Sequence, residues 1–366
     1  MRITKVEVIP FSIPLKKSFR YGAATRTMQE HVLFRVHSDT GAVGIGEATP
    51  RPAIHGETQV SCVHIVERFL APRLMGRDPM DRDGYWAEFD AIAWNPTAKG
   101  GLDTALHDLV ANALGVPLAA LLGGSAQPVA ISYMAGFGSS AELVTEALDI
   151  SARTGIEAFK VKAGADPDAD VERVRALREA LGPAAFIFID ANELYTPEIA
   201  VRTLNRLSEY GIAMAEEPVP VDLGRLRKKV ADAVPVPLLA DDSVETLADA
   251  RRELEDGAIG VLGIKPPRSG LHNAVKILHL GEAYGVPCWI GSQGVTGIGT
   301  LASAHFAAAH TRSIPYPADL GNFLRQEDDL LENPIDLREG RIHLPPGPGS
   351  GVRIDERKLA KYRVDK

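Results

Sequence analysis

Charged side chains stand at the ends of five successive short apolar segments between residues 158 and 266, and their types suit acid–base chemistry beside a metal ion. They are Lys160 and Lys162, Asp190, Glu216–Glu217, Asp241–Asp242 and Lys265. Three carboxylates that meet at one point repel each other strongly unless a cation lies among them. Ligand sets made only of oxygen favour a hard divalent ion. We therefore expect Asp190 and one acid of each pair to bind Mg²⁺, with Mn²⁺ as the second choice.

The three lysines suit proton transfer at a carbon atom next to a carboxylate. Lys160 and Lys162 are two residues apart in Phe-Lys-Val-Lys, so on a strand both point to the same side. The ammonium group of Lys160 and a nearby metal ion both disfavour charge on Lys162, which suits it as a base. Lys265 would approach from the opposite side. Removing an α-proton, or adding a nucleophile to a conjugated carboxylate, gives an enediolate that the metal stabilises.

The spacing of the apolar segments predicts a barrel that brings these side chains together. The residues that end the segments are 24 to 28 positions apart: Lys162, Asp190, Glu216, Asp241, Lys265, Gly291 and Asp319. That period fits one strand plus one crossover helix. In a closed (β/α) barrel the carboxyl ends of all strands share one mouth. An open doubly wound sheet usually carries a glycine-rich phosphate turn after its first strand, and the sequence has none.

The remaining sequence predicts two further parts. Residues 1–125 begin with alternating apolar and polar segments joined at Asp39-Thr40-Gly41, a hairpin signal, and continue with helical patterns. This order indicates an α+β domain, followed by the barrel at 126–322. The tail at 323–366 has turn residues and short strands, and we expect it to return to the first domain.

Composition argues against several classes of function. The chain has 366 residues and a net charge of −8, which disfavours nucleic acid or an anionic membrane as its main partner. Two cysteines, Cys62 and Cys288, are too few for a disulfide framework and fit a reducing cytosol. No run of about 18 apolar residues occurs, and the first residues alternate like a strand rather than a signal peptide. We therefore expect a cytoplasmic protein.

These residues resemble the enolase superfamily, in particular the muconate lactonizing subgroup of its mandelate racemase/muconate lactonizing branch. The resemblance covers the whole chain and implies a (β/α)7β modified TIM barrel with an N-terminal α+β capping domain completed by the C-terminal tail. It implies three metal ligands, Asp190, Glu216 and Asp241. It also makes Lys162 and Lys265 the opposed acid/base pair and Lys160 an auxiliary cation. Asn192 of the Asp-x-Asn motif is implied as a support near the metal and as a substrate-binding candidate.

Segments outside the metal site extend the resemblance to actinobacterial muconate lactonizing enzymes with anti stereochemistry. They are RPAIHGETQ, NPTAK, GIGTLASAHFA, DLGNFLRQEDDLL and PGPGSGVRIDERKLAKYRVD. The implied function is a Mg²⁺-dependent cycloisomerase acting on cis,cis-muconate or a related dicarboxylate. In such enzymes two loops of the cap cover the mouth, which makes four residues substrate-binding candidates: Arg20, Tyr21, Arg51 and His55. Relatives are homo-oligomers, so we expect one here.

One position departs from the subgroup's pattern, and another separates the chain from dipeptide epimerases of the same branch. Val295 stands where a seventh-strand acid usually pairs with the sixth-strand lysine, so we expect Lys265 to lack that partner and to be neutral more readily. Dipeptide epimerases of this branch carry Asp-x-Asp on the eighth strand to hold an ammonium group, whereas Asp319-Leu320-Gly321 supplies only the first acid. The alternatives are a racemase or epimerase of N-acylamino acids, a dehydratase of the o-succinylbenzoate synthase type, and a non-catalytic binding protein. Retention of all three lysines and all three acids disfavours the last.

Overall fold

The N-terminal domain begins with a three-stranded antiparallel sheet. The structure, a computed structural model, describes residues 1–21, 24–136 and 138–365, and within 18–26 it describes the backbone alone. The strands pair in the order β1-β2-β3 and are β1 (Ile3–Tyr21), β2 (Ala24–Ser38) and β3 (Val43–Ala48). The turn between β2 and β3 lies at residues 39–41, which confirms the predicted hairpin.

Helices then cover one face of this sheet. They are α1 (Pro52–His55), α2 (Gln59–Ile65), α3 (Ala71–Leu74), α4 (Arg82–Asp90), α5 (Pro96–Leu114) and α6 (Leu118–Leu121), with a π-helical turn at Val66–Leu70 between α2 and α3. The long helix α5 lies directly on β3. A Cβ atom at Gly46 would come within 2.1 Å of the carbonyl oxygen of Gly101, so only glycine permits this approach.

Seven parallel strands form the barrel, each hydrogen-bonded to the next in chain order. They are β5 (Tyr133–Ala135), β6 (Ala158–Lys162), β7 (Phe186–Asp190), β8 (Ala215–Glu216), β9 (Leu238–Ala240), β10 (Val261–Ile264) and β11 (Cys288–Ile290). The helices around them are α7 (Ser140–Thr154), α8 (Pro167–Leu181), α9 (Pro197–Ser208), α10 (Arg225–Asp232), α11 (Leu247–Asp256), α12 (Pro266–Tyr284) and α13 (Gly297–Ala309). Short 3₁₀ helices occupy Val221–Leu223 and Gly321–Arg325.

An extended segment at Ala318–Asp319 takes the place of the eighth strand and closes the ring. On one side Ala318 forms a parallel bridge with Ile131, just before β5. On the other side the Asp319 amide donates to the carbonyl of Ile290 in β11, at 2.8 Å. The predicted closed barrel is therefore confirmed.

Alternation along the strands puts an apolar floor beneath a charged mouth. The floor is a fully buried cluster of Phe188, Met214, Leu239, Val261 and Trp289. Two residues further along β7, β8 and β9 come the three acids Asp190, Glu216 and Asp241. Because side chains on a strand repeat every two residues, the strands that bury the floor also aim these acids into the barrel mouth.

The C-terminal segment packs back against both domains. Strands β12 (Asp336–Arg338) and β13 (Arg341–His343) form a small antiparallel sheet with β4 (Val129–Ala130), and the chain ends in α14 (Glu356–Tyr362). Near the end, the amide of Val364 donates to the carbonyl of Pro10 in β1, at 3.0 Å. In the described part of the chain, no helix combines the length and the apolar character needed to span a bilayer.

Candidate active site

A cavity opens at the carboxyl ends of the barrel strands, beneath the cap. Its charged wall contains the three predicted lysines and the predicted acids Asp190, Glu216 and Asp241, together with Asp242 and Asp319. In the ring of eight barrel segments β6 and β10 are four places apart, so Lys162 and Lys265 extend from opposite sides of the mouth. The strands that carry the three acids lie between them.

Lys162 is held on one side by Asp190 and Asn192. Its Nζ donates to Asp190 Oδ2 at 2.6 Å and to Asn192 Oδ1 at 2.7 Å. The Asn192 backbone amide donates to Asp190 Oδ1 at 3.0 Å, and this residue has a positive φ of 42°. Burial opposes ionisation of Asp190, but the charges of Lys162 and Lys160 lower its pKa to about 2. Asn192 thus sets the positions of a lysine and a carboxylate at once.

Lys160 lies deeper, on the aromatic floor. Its Nζ is 2.7 Å from Glu216 Oε2, 3.1 Å from Asp319 Oδ2 and 3.3 Å from Asp190 Oδ2. The same atom lies 5.1 Å from the ring centroid of Trp289, within range of a cation–π contact. Burial opposes the charge, yet the surrounding carboxylates hold the pKa of Lys160 well above its usual value. Lys160 is therefore a fixed cation in this structure.

Lys265 lacks the seventh-strand acid as expected, but the expectation that it is therefore neutral more readily is wrong. Its Nζ is 2.5 Å from Asp241 Oδ2 and 3.1 Å from Asp242 Oδ1. Burial disfavours the ammonium form, but these two carboxylates outweigh it and raise the pKa of Lys265 above its usual value. Val295 itself is buried and is not among the described residues that line the cavity.

The acids satisfy a test for a hard divalent cation. Asp241 Oδ1 is buried and accepts no hydrogen bond from the described residues, and the buried Glu216 Oε2 lies 2.7 Å from the Lys160 ammonium. Burial and the negative charges of Asp190 and Asp241 raise the pKa of Glu216 well above its usual value, although Lys160 opposes this shift. Buried carboxylates that repel each other are what a bound cation would stabilise.

The carboxylates are nevertheless separated by amines in this structure. Among the described residues, no three acidic, histidine or cysteine side chains already converge as a metal centre. The Lys162 ammonium contacts one oxygen of Asp190, and the Lys265 ammonium contacts one oxygen of Asp241. The Lys160 ammonium contacts Glu216. The donor set fits a divalent ion, and these lysine contacts compete with it.

The two acidic pairs that the sequence left open differ in how many of their side chains reach the cavity. Glu216 faces the cavity, whereas Glu217 turns away with a positive φ of 37° and is almost fully buried. Burial raises the pKa of Glu217 to about 7, although the nearby Arg227 opposes the shift. Asp241 and Asp242 both reach the cavity, with Asp242 on the Lys265 side.

The cap supplies part of the cavity wall through Arg51, Ala53 and Ile54. The Arg51 guanidinium donates from Nε to the carbonyl of Gln293 at 3.0 Å, which ties the cap to the loop after β11. His55 is not among the described residues of the wall. Its imidazole lies between Glu245, at 2.9 Å, and the Gln293 side chain, at 2.7 Å. The side chains of Arg20 and Tyr21 fall outside the described part of the structure.

Sequence reasoning missed the contribution of the loop after β11. Ser292, Gln293 and Gly294 line the cavity, and so do Met134 and Asn322. Gly291 marks the end of one barrel segment in the sequence, and the polar residues that follow it are a signal of the kind used for the other strands.

Comparison with known proteins places the chain in a family. Residues 3–123 match the model for the N-terminal domain of the mandelate racemase/muconate lactonizing enzyme family, and residues 142–358 match the enolase C-terminal domain-like model. The chain therefore belongs to the mandelate racemase/muconate lactonizing enzyme family of the enolase superfamily. It is an enzyme of the isomerase or lyase type, and members of this family generally depend on a divalent metal.

Individual relatives fall into two activities. Muconate cycloisomerase 1 of Rhodococcus opacus is 33% identical, over 97% of this chain and 96% of the relative. The L-Ala-D/L-Glu epimerase of Bacillus subtilis is 31% identical, over 96% of this chain and 97% of the relative. A crystal structure of the muconate lactonizing enzyme of Mycobacterium smegmatis, complexed with muconolactone, covers both chains fully with a TM-score of 0.96 and 36% identity. These likenesses fix the type of chemistry and leave the substrate to be inferred from the site.

Proposed function

We propose that this enzyme is a Mg²⁺-dependent cycloisomerase acting on cis,cis-muconate or a closely related dicarboxylate. The observation that supports this most directly is the positive charge of the cap residues that line the cavity. Of the described cap residues there, Arg51 is a cation, and Ala53 and Ile54 are uncharged. A substrate held by its first carboxylate at the metal would point its far end towards a guanidinium, which suits a second carboxylate.

The acids and lysines have separate tasks in this proposal. Asp190, Glu216 and Asp241 would hold the divalent ion, which stabilises the negative charge that develops on the substrate carboxylate. The distal carboxylate adds across the conjugated double bond, and the α-carbon takes a proton from Lys162 or Lys265. Because these lysines face each other across the mouth, the one that donates determines syn or anti addition. Lys160 remains charged and strengthens the binding of anions.

A second candidate is a racemase or epimerase of an N-acylated amino acid or dipeptide. Two opposed lysines also suit removal of an α-proton from one face and its return to the other. The likeness to epimerases is nearly as high as that to cycloisomerases. Against it, the Asp319 carboxylate lies 3.1 Å from the Lys160 ammonium, and position 321 is glycine. The Asp319 carboxylate thus already has a lysine as its ion-pair partner, and it is less suited to hold the ammonium group of a dipeptide.

One incubation separates the two candidates. The enzyme is mixed with Mg²⁺ in D₂O, once with cis,cis-muconate and once with a panel of dipeptides and N-acylamino acids. We expect muconate to lose its ultraviolet absorbance and the lactone to carry one deuterium next to the carboxylate that stays outside the ring. Deuterium exchange with inversion in the panel, together with inert muconate, would instead establish the epimerase. The configuration of the deuterated carbon identifies the donating lysine.

Lysine variants test the assignment of the acid/base pair. Lys162→Ala and Lys265→Ala should each reduce turnover by about 10²- to 10⁴-fold, the range typical for loss of a general acid or base. Lys276→Ala is the matched control, because this lysine of α12 is half exposed, lies 3.5 Å from Asp83 of the cap and is not among the described residues of the cavity wall. Full activity in either cavity variant would contradict the mechanism.

A further inference from the structure

Glu217 is buried directly beside the cavity but does not face it. Strand β8 ends at Glu216, and the next residue has a φ of 37°, which turns its side chain to the outer side of the barrel mouth. The backbone there is still fixed, because the Glu217 amide donates to the carbonyl of Leu239 at 3.1 Å. A left-handed conformation costs a glutamate energy, so the contacts of this side chain must offset that cost.

The Glu217 carboxylate holds the turn that follows β9. Its Oε1 accepts hydrogen bonds from the Asp241 amide at 2.6 Å, from the Ser243 amide at 2.9 Å and from the Ser243 hydroxyl at 2.6 Å. This turn carries Asp241 and Asp242, the two acids on either side of the Lys265 ammonium. One oxygen atom therefore fixes the backbone from which both acids extend.

The second oxygen is bound by a buried cation. Arg227 of α10 is 2% exposed, and its Nη2 lies 3.1 Å from Glu217 Oε2 and 3.3 Å from Glu253 Oε2 of α11. A charged arginine in the protein interior costs free energy unless acids surround it. Here it lies between two carboxylates, one of which reaches the catalytic turn and the other of which does not.

We propose that Glu217, held in place by Arg227, is a positioning residue that orients Asp241 for the metal and Asp242 for Lys265. This inference rests on the proposed metal site and adds a group that touches neither metal nor substrate. Loss of comparable outer contacts typically weakens metal affinity by about 10- to 100-fold. The same loss is expected for Glu217, since its three hydrogen bonds fix the turn that carries one ligand.

The test is the affinity of the substrate-free enzyme for Mg²⁺, measured by isothermal titration calorimetry, with Mn²⁺ binding followed by electron paramagnetic resonance. Glu217→Gln keeps the size but removes the charge. The new glutamine has two orientations, and each leaves its amino group facing another donor. With the amide oxygen towards the turn, the amino group faces Arg227. In the reverse orientation the amino group faces the donors of Asp241 and Ser243. We expect the dissociation constant to rise about 10- to 100-fold, with the protein still folded by circular dichroism.

Glu253→Gln is the matched control. It removes the other partner of Arg227 and leaves the turn untouched, so Mg²⁺ affinity should stay within about twofold of the wild type. If Glu217→Gln fails to fold, Arg227→Lys decides the question, because lysine keeps a charge but loses the planar group, and it too should weaken Mg²⁺ binding. A folded Glu217→Gln variant with wild-type affinity, or equal effects in the two glutamine variants, would overturn the proposal. If the unmodified enzyme binds Mg²⁺ but does not convert muconate, only the proposed substrate is refuted, and the role of Glu217 is not.

Discussion

At the scale of single residues, the Lys265 side chain crosses the barrel mouth only because position 291 has no Cβ atom. A Cβ built on Gly291 would lie 2.9 Å from Lys265 Cε and 3.0 Å from its Cγ. The ring of Trp289 would also lie 3.0 Å from the built Cβ atom, so a side chain at position 291 would be crowded by both residues. Gly291 thus defines the path that brings the ammonium group to Asp241 and Asp242.

The variant Gly291→Ala should therefore displace the ammonium group without unfolding the barrel. Misplacement of a catalytic group by about 1 Å can cost about 10²-fold in rate, so we expect turnover to fall about 10- to 100-fold. Steady-state kinetics and a thermal melt measure the two effects. Gly136→Ala is the control at the end of another barrel strand, since its nearest neighbour would be 3.9 Å away. Equal activity in both variants would contradict this reading of Gly291.

The local residues of the site could be predicted from the sequence, and the contacts made across the molecule could not. Asp190 follows four apolar residues of a strand, so its place at the mouth is a property of the segment itself. The contacts of Lys265 with Asp241 and Asp242 could not be predicted, because they depend on how the turn after β9 lies against β10. The Arg51 contact to Gln293 joins residues 242 positions apart, and no local pattern indicates it.

At the scale of secondary structure elements, Asp103 of α5 joins cap helices to the barrel helix α12. One of its oxygens accepts from the Tyr85 hydroxyl at 2.8 Å and the Trp86 indole at 2.7 Å, and the other accepts from the His272 amide at 3.1 Å. Burial alone would raise the pKa of this acid. The neighbouring His107 and these hydrogen bonds outweigh burial and lower the pKa to about 2.

This low pKa predicts a pH-dependent loss of stability. A carboxyl group whose pKa falls on folding from 3.8 to about 2 stabilises the protein by about 2 kcal/mol above both values. The contribution is fully present above about pH 4 and disappears as the pH falls through about 2. Asp103→Asn should therefore lower stability by about 2 kcal/mol at pH 7, and its difference from the wild type should narrow below about pH 4.

Urea unfolding curves for both proteins between pH 2 and pH 7 measure this difference. In the variant the amino group of the new asparagine faces an N–H donor in either orientation, that of Trp86 or that of His272, which adds a penalty that does not depend on pH. Only the part of the stability difference that changes with pH reports the titration of Asp103. A difference that stays constant from pH 7 to pH 2 would show that Asp103 is not a stabilising charge.

At the scale of the whole molecule, Glu47 of the cap sheet holds the start of a barrel helix. Its carboxylate accepts from the Thr296 amide at 2.9 Å, the Thr296 hydroxyl at 2.8 Å and the Gly299 amide at 3.0 Å. His31 lies 2.6 Å from the same group. Because α13 follows the loop that lines the cavity, this buried acid couples the two domains next to the site.

Glu47→Gln should loosen that coupling while leaving both domains folded. A glutamine amino group must face one of the donors at the start of α13, so at least one hydrogen bond is lost. Hydrogen exchange at the amides of Thr296 and Gly299 should become about tenfold faster or more, as expected when local opening becomes easier. Glu30→Gln, an exposed position on β2, should leave these rates unchanged. Unchanged protection in Glu47→Gln would show that the cap does not stabilise this helix.

The cavity wall draws its parts from two places in the chain. In the described wall, the acids and lysines come from barrel strand ends, whereas Arg51, Ala53 and Ile54 come from one short stretch of the cap. After a gene duplication, mutations in that stretch can therefore change which compounds the enzyme accepts. The acids and lysines at the strand ends, which carry out the reaction, can stay unchanged. A library randomised at these three positions would show which substrates the cavity accepts while its acids and lysines stay unchanged.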